Sequence, residues 1–185
     1  MKKRCEWAKI EPNTTYHDKE WGIPQHSDKK LFEFLILEGA QAGLSWSTIL
    51  NRRDGYRLAF SNFDAIKVSK YTQNHVQKLI QNKAIIRNKL KINSAINNAR
   101  QFIKIQKEFG SFDEYLWKFV NHKPIKNKFK KYSDLPSYTI ISKKLSQDLK
   151  KRGFNFVGPT ICYALMQAVG MVNDHTIDCF RYSEL

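Results

Sequence analysis

Two cysteines and two histidines stand close to the opposite ends of this chain, and their placement restricts how it can fold. They are Cys5, His17, His175 and Cys179. His175 and Cys179 lie four residues apart, a spacing that puts both side chains on one face of a helix. Two thiolates and two imidazoles form a tetrahedral zinc set, and a metal bound by all four would close the chain into one body. Alternatively, the last two residues simply pack inside a C-terminal helix.

Length and charge set the broad class of the protein. A chain of 185 residues corresponds to one domain, 1–185, or to two small lobes that share a core. The excess of 32 Lys and Arg over 17 Asp and Glu gives a net charge of +15, which favours nucleic acid or an acidic membrane surface as partner. A generally lysine-rich proteome would produce the same excess.

Cysteine usage and hydropathy indicate the compartment. There are three cysteines, an odd number, and the basic N-terminus is not followed by the apolar stretch of a signal peptide. No apolar run approaches the length of a membrane span. We therefore expect a cytoplasmic protein, with free or metal-bound thiols and no membrane contact.

Apolar residues recur at helical spacing through nearly the whole chain, which predicts an all-α fold. We expect helices over residues 27–42, 85–109, 142–151 and 159–170, and a further helix that opens with a capping box at Ser111. Residues 121–136 are polar and rich in lysine, and we interpret them as an exposed connection. No segment shows the sustained alternation of a strand.

One acidic residue falls on the apolar face of a predicted helix. Glu38 shares that face with Leu31, Phe34 and Leu35, so its carboxylate should be partly buried and in need of a partner. A backbone amide or a lysine would satisfy it. Together with nearby aromatic residues, however, a carboxylate makes a pocket that suits a flat, electron-poor heterocycle; the candidates are Tyr16, Trp21 and Trp46.

A possible phosphate-binding hairpin lies near the C-terminus. Two predicted helices are joined by a short turn that contains Gly153 and Gly158 and follows three basic residues, Lys150, Lys151 and Arg152. In a helix-hairpin-helix, backbone amides of the turn and of the next helix, here at Thr160, hold a DNA phosphate. An ordinary αα-hairpin with a basic surface is the alternative.

Several long strings in the same order resemble the 3-methyladenine DNA glycosylase I family. They are residues 16–22 (YHDKEWG), 37–46 (LEGAQAGLSW), 150–163 (KKRGFNFVGPTICY) and 172–175 (VNDH). The resemblance runs from Cys5 to about Cys179. It implies a helix-hairpin-helix DNA glycosylase fold in which a structural zinc ion, one per chain, joins the N- and C-terminal segments through Cys5, His17, His175 and Cys179.

The resemblance also implies roles for individual residues. Glu38 would be the catalytic residue and would contact a base extruded from duplex DNA. Tyr16 and Trp46 would stack on that base, and Trp7 and Trp21 would complete the walls. Independently of the resemblance, Gln41 and Leu44 in the turn between Glu38 and Trp46 are candidates to fill the gap left in the duplex, because an apolar wedge is a common device for this. Alternatively, Leu44 caps the core. The implied activity is hydrolysis of the glycosidic bond of 3-methyladenine in alkylated DNA by a monomer, with release of the free base and without strand cleavage.

The sequence departs from the wider superfamily at two places, and it is compatible with two rival functions. The hairpin is longer than the usual Gly-x-Gly, and Asn173 occupies the place of the catalytic aspartate. Asp174 is one position away, beside a proposed zinc ligand, and we do not assign it the catalytic role. A zinc-stapled module that binds DNA without hydrolysis is one rival. The other is a zinc hydrolase, which would need an open metal position.

Overall fold

The computed structural model describes residues 2–185 and is built almost entirely from helices, as the sequence predicts. The α-helices are α1 Asn13–Lys19, α2 Asp28–Gln41, α3 Trp46–Leu50, α4 Arg53–Ala59, α5 Ala65–Ser69, α6 Gln73–Gln81, α7 Lys89–Phe109, α8 Phe112–Trp117, α9 Ile140–Lys151, α10 Pro159–Ala168 and α11 Phe180–Glu184. Short 3-10 turns cover Glu6–Ala8, Ser61–Phe63, Lys118–Val120 and Tyr132–Asp134. Within residues 2–185, no helix combines the length and apolar character needed to cross a membrane.

Helix α2 lies at the centre of the fold. Every residue from Leu31 to Ala40 is buried, as expected of a helix that is covered on all sides. It packs against α7, α8, α3 and α10, while α7 also contacts α5, α6 and α8. Glu38 is therefore held on a rigid element in the middle of the protein.

The helix ends show which capping predictions hold. Ser111 caps α8, since its Oγ accepts a hydrogen bond from the Glu114 amide at 2.9 Å. Helix α7 begins at Lys89, later than predicted, because the Asn88 side chain caps it by accepting from the Lys91 amide at 3.1 Å. Ser27 stands at the start of α2, but its side chain makes no capping bond.

Two short strands, missed by the sequence analysis, tie the lysine-rich connection to the C-terminal segment. β1, Ile125–Lys126, pairs in parallel with β2, Val172–Asn173. Two residues are too few to display the alternation that identifies a strand. The pairing fixes residues 121–136 beside the segment that carries His175, so this connection is not simply a loop in solvent.

The predicted helical placement of His175 and Cys179 is wrong. Residues 174–178 form an irregular segment, and Cys179 stands at the N-cap of α11. The spacing of four residues instead spans a turn in which the Cys179 amide donates to the Thr176 carbonyl at 2.8 Å.

Candidate active site and metal centre

A cavity of about 470 Å³ collects the residues that the sequence analysis assigned to base binding. It lies between α1, α2, α3, α10 and the segment 132–137. All five predicted pocket residues line it, as do Gln41 and Thr160 from the predicted DNA contacts: Trp7, Tyr16, Trp21, Glu38, Gln41, Trp46 and Thr160. Residues distant in sequence thus form one concave site, the usual geometry of a small-molecule pocket.

Among residues 2–185, Glu38 is the one acidic residue that lines the cavity, and it is only 4% exposed. Burial raises the pKa of its carboxyl group from 4.5 to about 8, and no hydrogen bond or charge among residues 2–185 offsets that rise. An unpaired buried carboxylate is costly. Neither the backbone amide nor the lysine considered from sequence satisfies it, so the group is available to a ligand.

This burial gives an expected pH dependence of stability. Below pH 4.5 the carboxyl group is protonated in both the folded and the unfolded chain. Between pH 4.5 and about 8, the unfolded chain ionises while the folded chain keeps its proton, so the free energy of unfolding falls by about 1.4 kcal/mol per pH unit. Glu38→Gln removes that loss. Chemical denaturation should show that the variant gains stability over the parent chain between pH 5 and pH 8, whereas an equal difference at both values would contradict the prediction.

Aromatic rings and unsatisfied polar atoms surround this carboxyl group. The Tyr16 and Trp46 ring centroids lie 5.3 Å apart, and those of Trp7 and Trp21 lie 5.0 Å apart, edge to face. Tyr16 Oη and Trp46 Nε1 are buried, and neither has a hydrogen-bond partner in the described part of the chain. Burial and the nearby Glu38 hold the pKa of Tyr16 well above its usual value, so its hydroxyl group remains a donor.

The opposite wall of the cavity was not predicted from the sequence. Tyr163, Ala164 and Gln167 of α10 line it, together with residues from the segment 132–137. Polar side chains at helical spacing in an otherwise apolar helix were the available signal for α10. No sequence pattern indicated that residues from the segment 132–137 line the cavity, because their position depends on how the lysine-rich connection folds back.

Asp174 anchors this second wall from behind. It is 1% exposed, and its carboxylate accepts hydrogen bonds from Tyr163 Oη, from Gln167 Nε2 at 2.8 Å and from Asn127 Nδ2 at 2.6 Å. Asp174 does not line the cavity. Its hydrogen bonds make Asp174 a positioning residue for Tyr163 and Gln167.

Three of the four predicted metal ligands converge. The ligand atoms of Cys5, His17 and Cys179 lie within 4.8 Å of one another, and all three residues are buried. Cys179 Sγ is 3.4 Å from His17 Nε2. Hydrogen bonds from Cys5 and from His17 lower the pKa of the Cys179 thiol, which favours the thiolate that a metal requires.

His175 lies beside this cluster, although it is outside the group of three. Its ring centroid is 4.9 Å from that of His17, and Nδ1 lies 3.0 Å from Asn173 Oδ1. Its Nε2 is buried without a hydrogen-bond partner within residues 2–185. Gly22 gives the ring room, since a Cβ atom there would lie 2.8 Å from His175 Cε1. An imidazole nitrogen without a partner, on a ring that packs against His17 of the cluster, fits a metal ion.

The predicted hairpin is present between α9 and α10. Gly153 takes a φ of +85°, and the turn is fixed by Asn98, which accepts from the Asn155 amide and donates to the Asn155 carbonyl at 2.9 and 2.8 Å. Gly158 precedes α10 without any side-chain cap, so amides of the first turn are left for another acceptor.

The three basic residues before the hairpin differ in their availability. Lys150 and Lys151 are exposed. Arg152 instead donates to Glu108 Oε2 at 2.6 Å and to Asp148 Oδ2 at 2.8 Å. Its guanidinium group also lies over the rings of Phe109 and Tyr115. Arg152 thus joins α7, α8 and α9, and the two lysines are the basic groups that remain open to a partner.

The loop after Glu38 presents an apolar side chain to solvent. Leu44 is 39% exposed and follows Gly43, whose φ is +77°. Lys91 Nζ holds the end of α2 below this loop by donating to the carbonyls of Ala40 and Ala42 at 2.8 and 2.6 Å. Leu44 is therefore an exposed residue on a fixed support rather than a cap of the core.

Comparisons with known proteins agree on one family. The family described as methyladenine glycosylase matches residues 7–182. DNA-3-methyladenine glycosylase 1 of Escherichia coli strain K12 is 46% identical over 180 residues, which cover 97% of this chain and 96% of the relative. The fold is similar to a crystal structure of 3-methyladenine DNA glycosylase I, with TM-score 0.94, 44% identity and coverage of 96% and 98%. It is also similar to a Staphylococcus aureus structure that describes 3-methyladenine recognition, with TM-score 0.93, 35% identity and coverage of 96% and 95%.

Proposed function

This chain belongs to the methyladenine glycosylase family, and on that basis we propose that it excises 3-methyladenine from alkylated DNA. It acts as a single domain, 1–185, and as a monomer. The observation that carries the proposal is the lone buried carboxylate of Glu38 inside an aromatic cavity, beside two polar atoms without partners. A binding module without catalysis has no need of such a pocket.

The cavity supplies selectivity for a cationic base. Methylation at N3 leaves the adenine ring positively charged, and both the Glu38 carboxylate and the faces of Tyr16 and Trp46 attract a cation. Trp7 and Trp21 close the remaining sides. Because a cation favours the ionised carboxylate, its arrival lowers the raised pKa of Glu38, and at neutral pH binding is accompanied by release of a proton.

The chemical step requires little acid catalysis. The methylated base carries a positive charge, so it leaves as a neutral molecule when the glycosidic bond breaks and takes the bonding electrons with it. Water adds its hydroxyl group to the sugar carbon and gives up a proton. The pocket therefore acts mainly by holding the base in place, and the products are free 3-methyladenine and an abasic site in an intact strand.

The DNA contacts follow from the surfaces around the cavity. The hairpin amides near Gly153, Gly158 and Thr160 hold a phosphate, and Lys150 and Lys151 add positive charge. Base extrusion costs a few kcal/mol, and insertion of Leu44, with Gln41 at the cavity edge, offsets part of that cost by filling the gap.

The metal centre has a structural role in this proposal. Cys5, His17, His175 and Cys179 would hold one zinc ion, whose tetrahedral shell is complete with two sulfur and two nitrogen ligands. A closed shell leaves no position for a reacting water molecule, which argues against the zinc hydrolase. The ion would fix the N-terminal segment that carries Trp7 and Tyr16 against the C-terminal segment.

Base release separates the enzyme from the DNA-binding module. Methylated duplex DNA is incubated with saturating protein, and the soluble bases are separated and identified. We expect free 3-methyladenine and no strand breaks until the abasic sites are cleaved chemically. Tight binding of methylated DNA without any released base would favour the binding module.

Lys151→Glu tests the hairpin. The substitution places a negative charge beside a phosphate, so affinity should fall for every duplex, whatever its sequence, and the slope of log affinity against log salt should decrease by roughly 1 to 2. Affinity is measured at several salt concentrations. Lys78→Glu, on the exposed surface of α6, is the matched control. Equal effects of the two substitutions would move the DNA surface away from the hairpin.

A further inference from the structure

A second cavity, of about 660 Å³, opens beside the base cavity and is strongly basic. Six of its lining side chains are basic and two, Glu6 and Asp178, are acidic. The basic residues come from the N-terminal segment and from the lysine-rich connection, and we call the cavity they line the basic groove: Lys2, Lys3, Arg4, Lys9, Lys130 and Lys131. The roles assigned so far to the base cavity, the hairpin and the metal centre leave it unused.

The basic groove is continuous with the base cavity. Tyr132 and Ser133 line both of them, and both residues are exposed. The base cavity therefore has two edges with different chemistry. Thr160, at the amino end of α10, marks the edge next to the hairpin, and the pair of residues 132–133 marks the edge next to the basic groove.

Half of the basic side chains in the groove already have partners. Lys3 Nζ lies 2.6 Å from Asp178 Oδ2, Arg4 donates to the Asp18 carboxylate, and Lys2 Nζ lies 4.4 Å from the centroid of the Phe180 ring. Lys9, Lys130 and Lys131 are exposed and form no salt bridge with any residue from 2 to 185. Like charges gathered around one cavity repel each other, and a bound anion relieves that repulsion.

We propose that the basic groove holds the sugar–phosphate backbone of the DNA strand on one side of the extruded nucleotide. This inference rests on the proposed function. An extruded nucleotide remains covalently joined to both neighbours, so its strand has to cross the edge of the base cavity on the way in and on the way out. The hairpin receives the strand at one edge, and the basic groove receives it at the other, where phosphate contacts fix its position.

A triple variant, Lys9→Gln, Lys130→Gln and Lys131→Gln, tests the groove. The slope of log affinity against log salt, measured with a duplex that carries a tetrahydrofuran abasic analogue, should fall by roughly 2 to 3. The matched control is Lys78→Gln, Lys83→Gln and Lys107→Gln, which removes three exposed lysines that line neither cavity and should change the slope much less. Equal slopes for the two triple variants would overturn the proposal.

Replacing single DNA phosphates with uncharged methylphosphonates shows which phosphates contact the basic groove. Methylphosphonates on one side of the analogue should weaken binding to the parent protein. They should weaken binding to the groove variant by a much smaller factor, because that variant has already lost the lysines that contact these phosphates. Equal factors on both sides of the analogue would overturn the assignment. Affinity for free 3-methyladenine should be unchanged. These are binding measurements, so absence of base release would refute the proposed function without deciding the role of the groove.

Discussion

Glu38→Gln should slow the release of 3-methyladenine by roughly 10- to 100-fold, while the fold and the general affinity for DNA are retained. The substitution keeps the shape of the side chain but replaces a charge-assisted contact with a cation by a neutral one, a difference of roughly 1.5–3 kcal/mol. The proposed metal ligands, the hairpin amides and the exposed lysines beside the hairpin are unchanged by this substitution. The rate is measured in single turnover at saturating enzyme, beside a melting curve, and binding of the free base is measured separately.

Glu33→Gln provides a matched control for this experiment. Glu33 lies on the same helix and is also 4% exposed, but its carboxylate accepts from Arg53 Nε at 2.8 Å and does not line the base cavity. Its loss should reduce stability and leave the rate of excision per folded molecule nearly unchanged. A well-folded Glu38→Gln protein that works at the parental rate would refute the role of Glu38.

Cys179→Ala should remove most of the bound zinc, from about one ion per chain, and lower the free energy of unfolding by several kcal/mol. Because a structural metal binds the folded chain only, its binding free energy contributes directly to stability. A fall in melting temperature of about 10 °C or more corresponds to that loss. The remaining folded protein should still release base, since the metal is placed outside the reaction. Metal analysis and calorimetry are the measurements.

Cys162→Ala distinguishes a metal ligand from a buried cysteine. Cys162 is also buried, but its Sγ contacts the Val157 carbonyl at 3.4 Å, away from the cluster. The variant should keep its zinc and lose only the stability expected from a smaller core side chain. A parent protein that contains no zinc and is fully stable would contradict the metal centre, and zinc retained in Cys179→Ala would contradict the ligand assignment.

Features that depend on neighbouring residues were predictable from the sequence. Helical periodicity alone gave the all-α fold, and the inward face of α2 gave the burial of Glu38, because a helix brings residues three and four positions apart onto one side. The hairpin before α10 was likewise predictable from Gly153 and Gly158, because the backbone preferences of glycine are local. The possible metal centre was inferred from residue type, two cysteines and two histidines, and not from local spacing, because the two pairs stand at opposite ends of the chain.

Features that depend on distant contacts required the tertiary structure. Three of these features join residues from separate elements: the irregular segment that holds His175, the ion pairs of Arg152 with Glu108 and Asp148, and the hydrogen bonds that Asp174 accepts from the second cavity wall. The pairing of β1 with β2 also joins separate elements. It folds the lysine-rich connection back on the protein and thereby creates an edge of the base cavity. Local patterns in a sequence carry no information on which elements meet. The contacts between elements are determined by how the whole chain packs around one core.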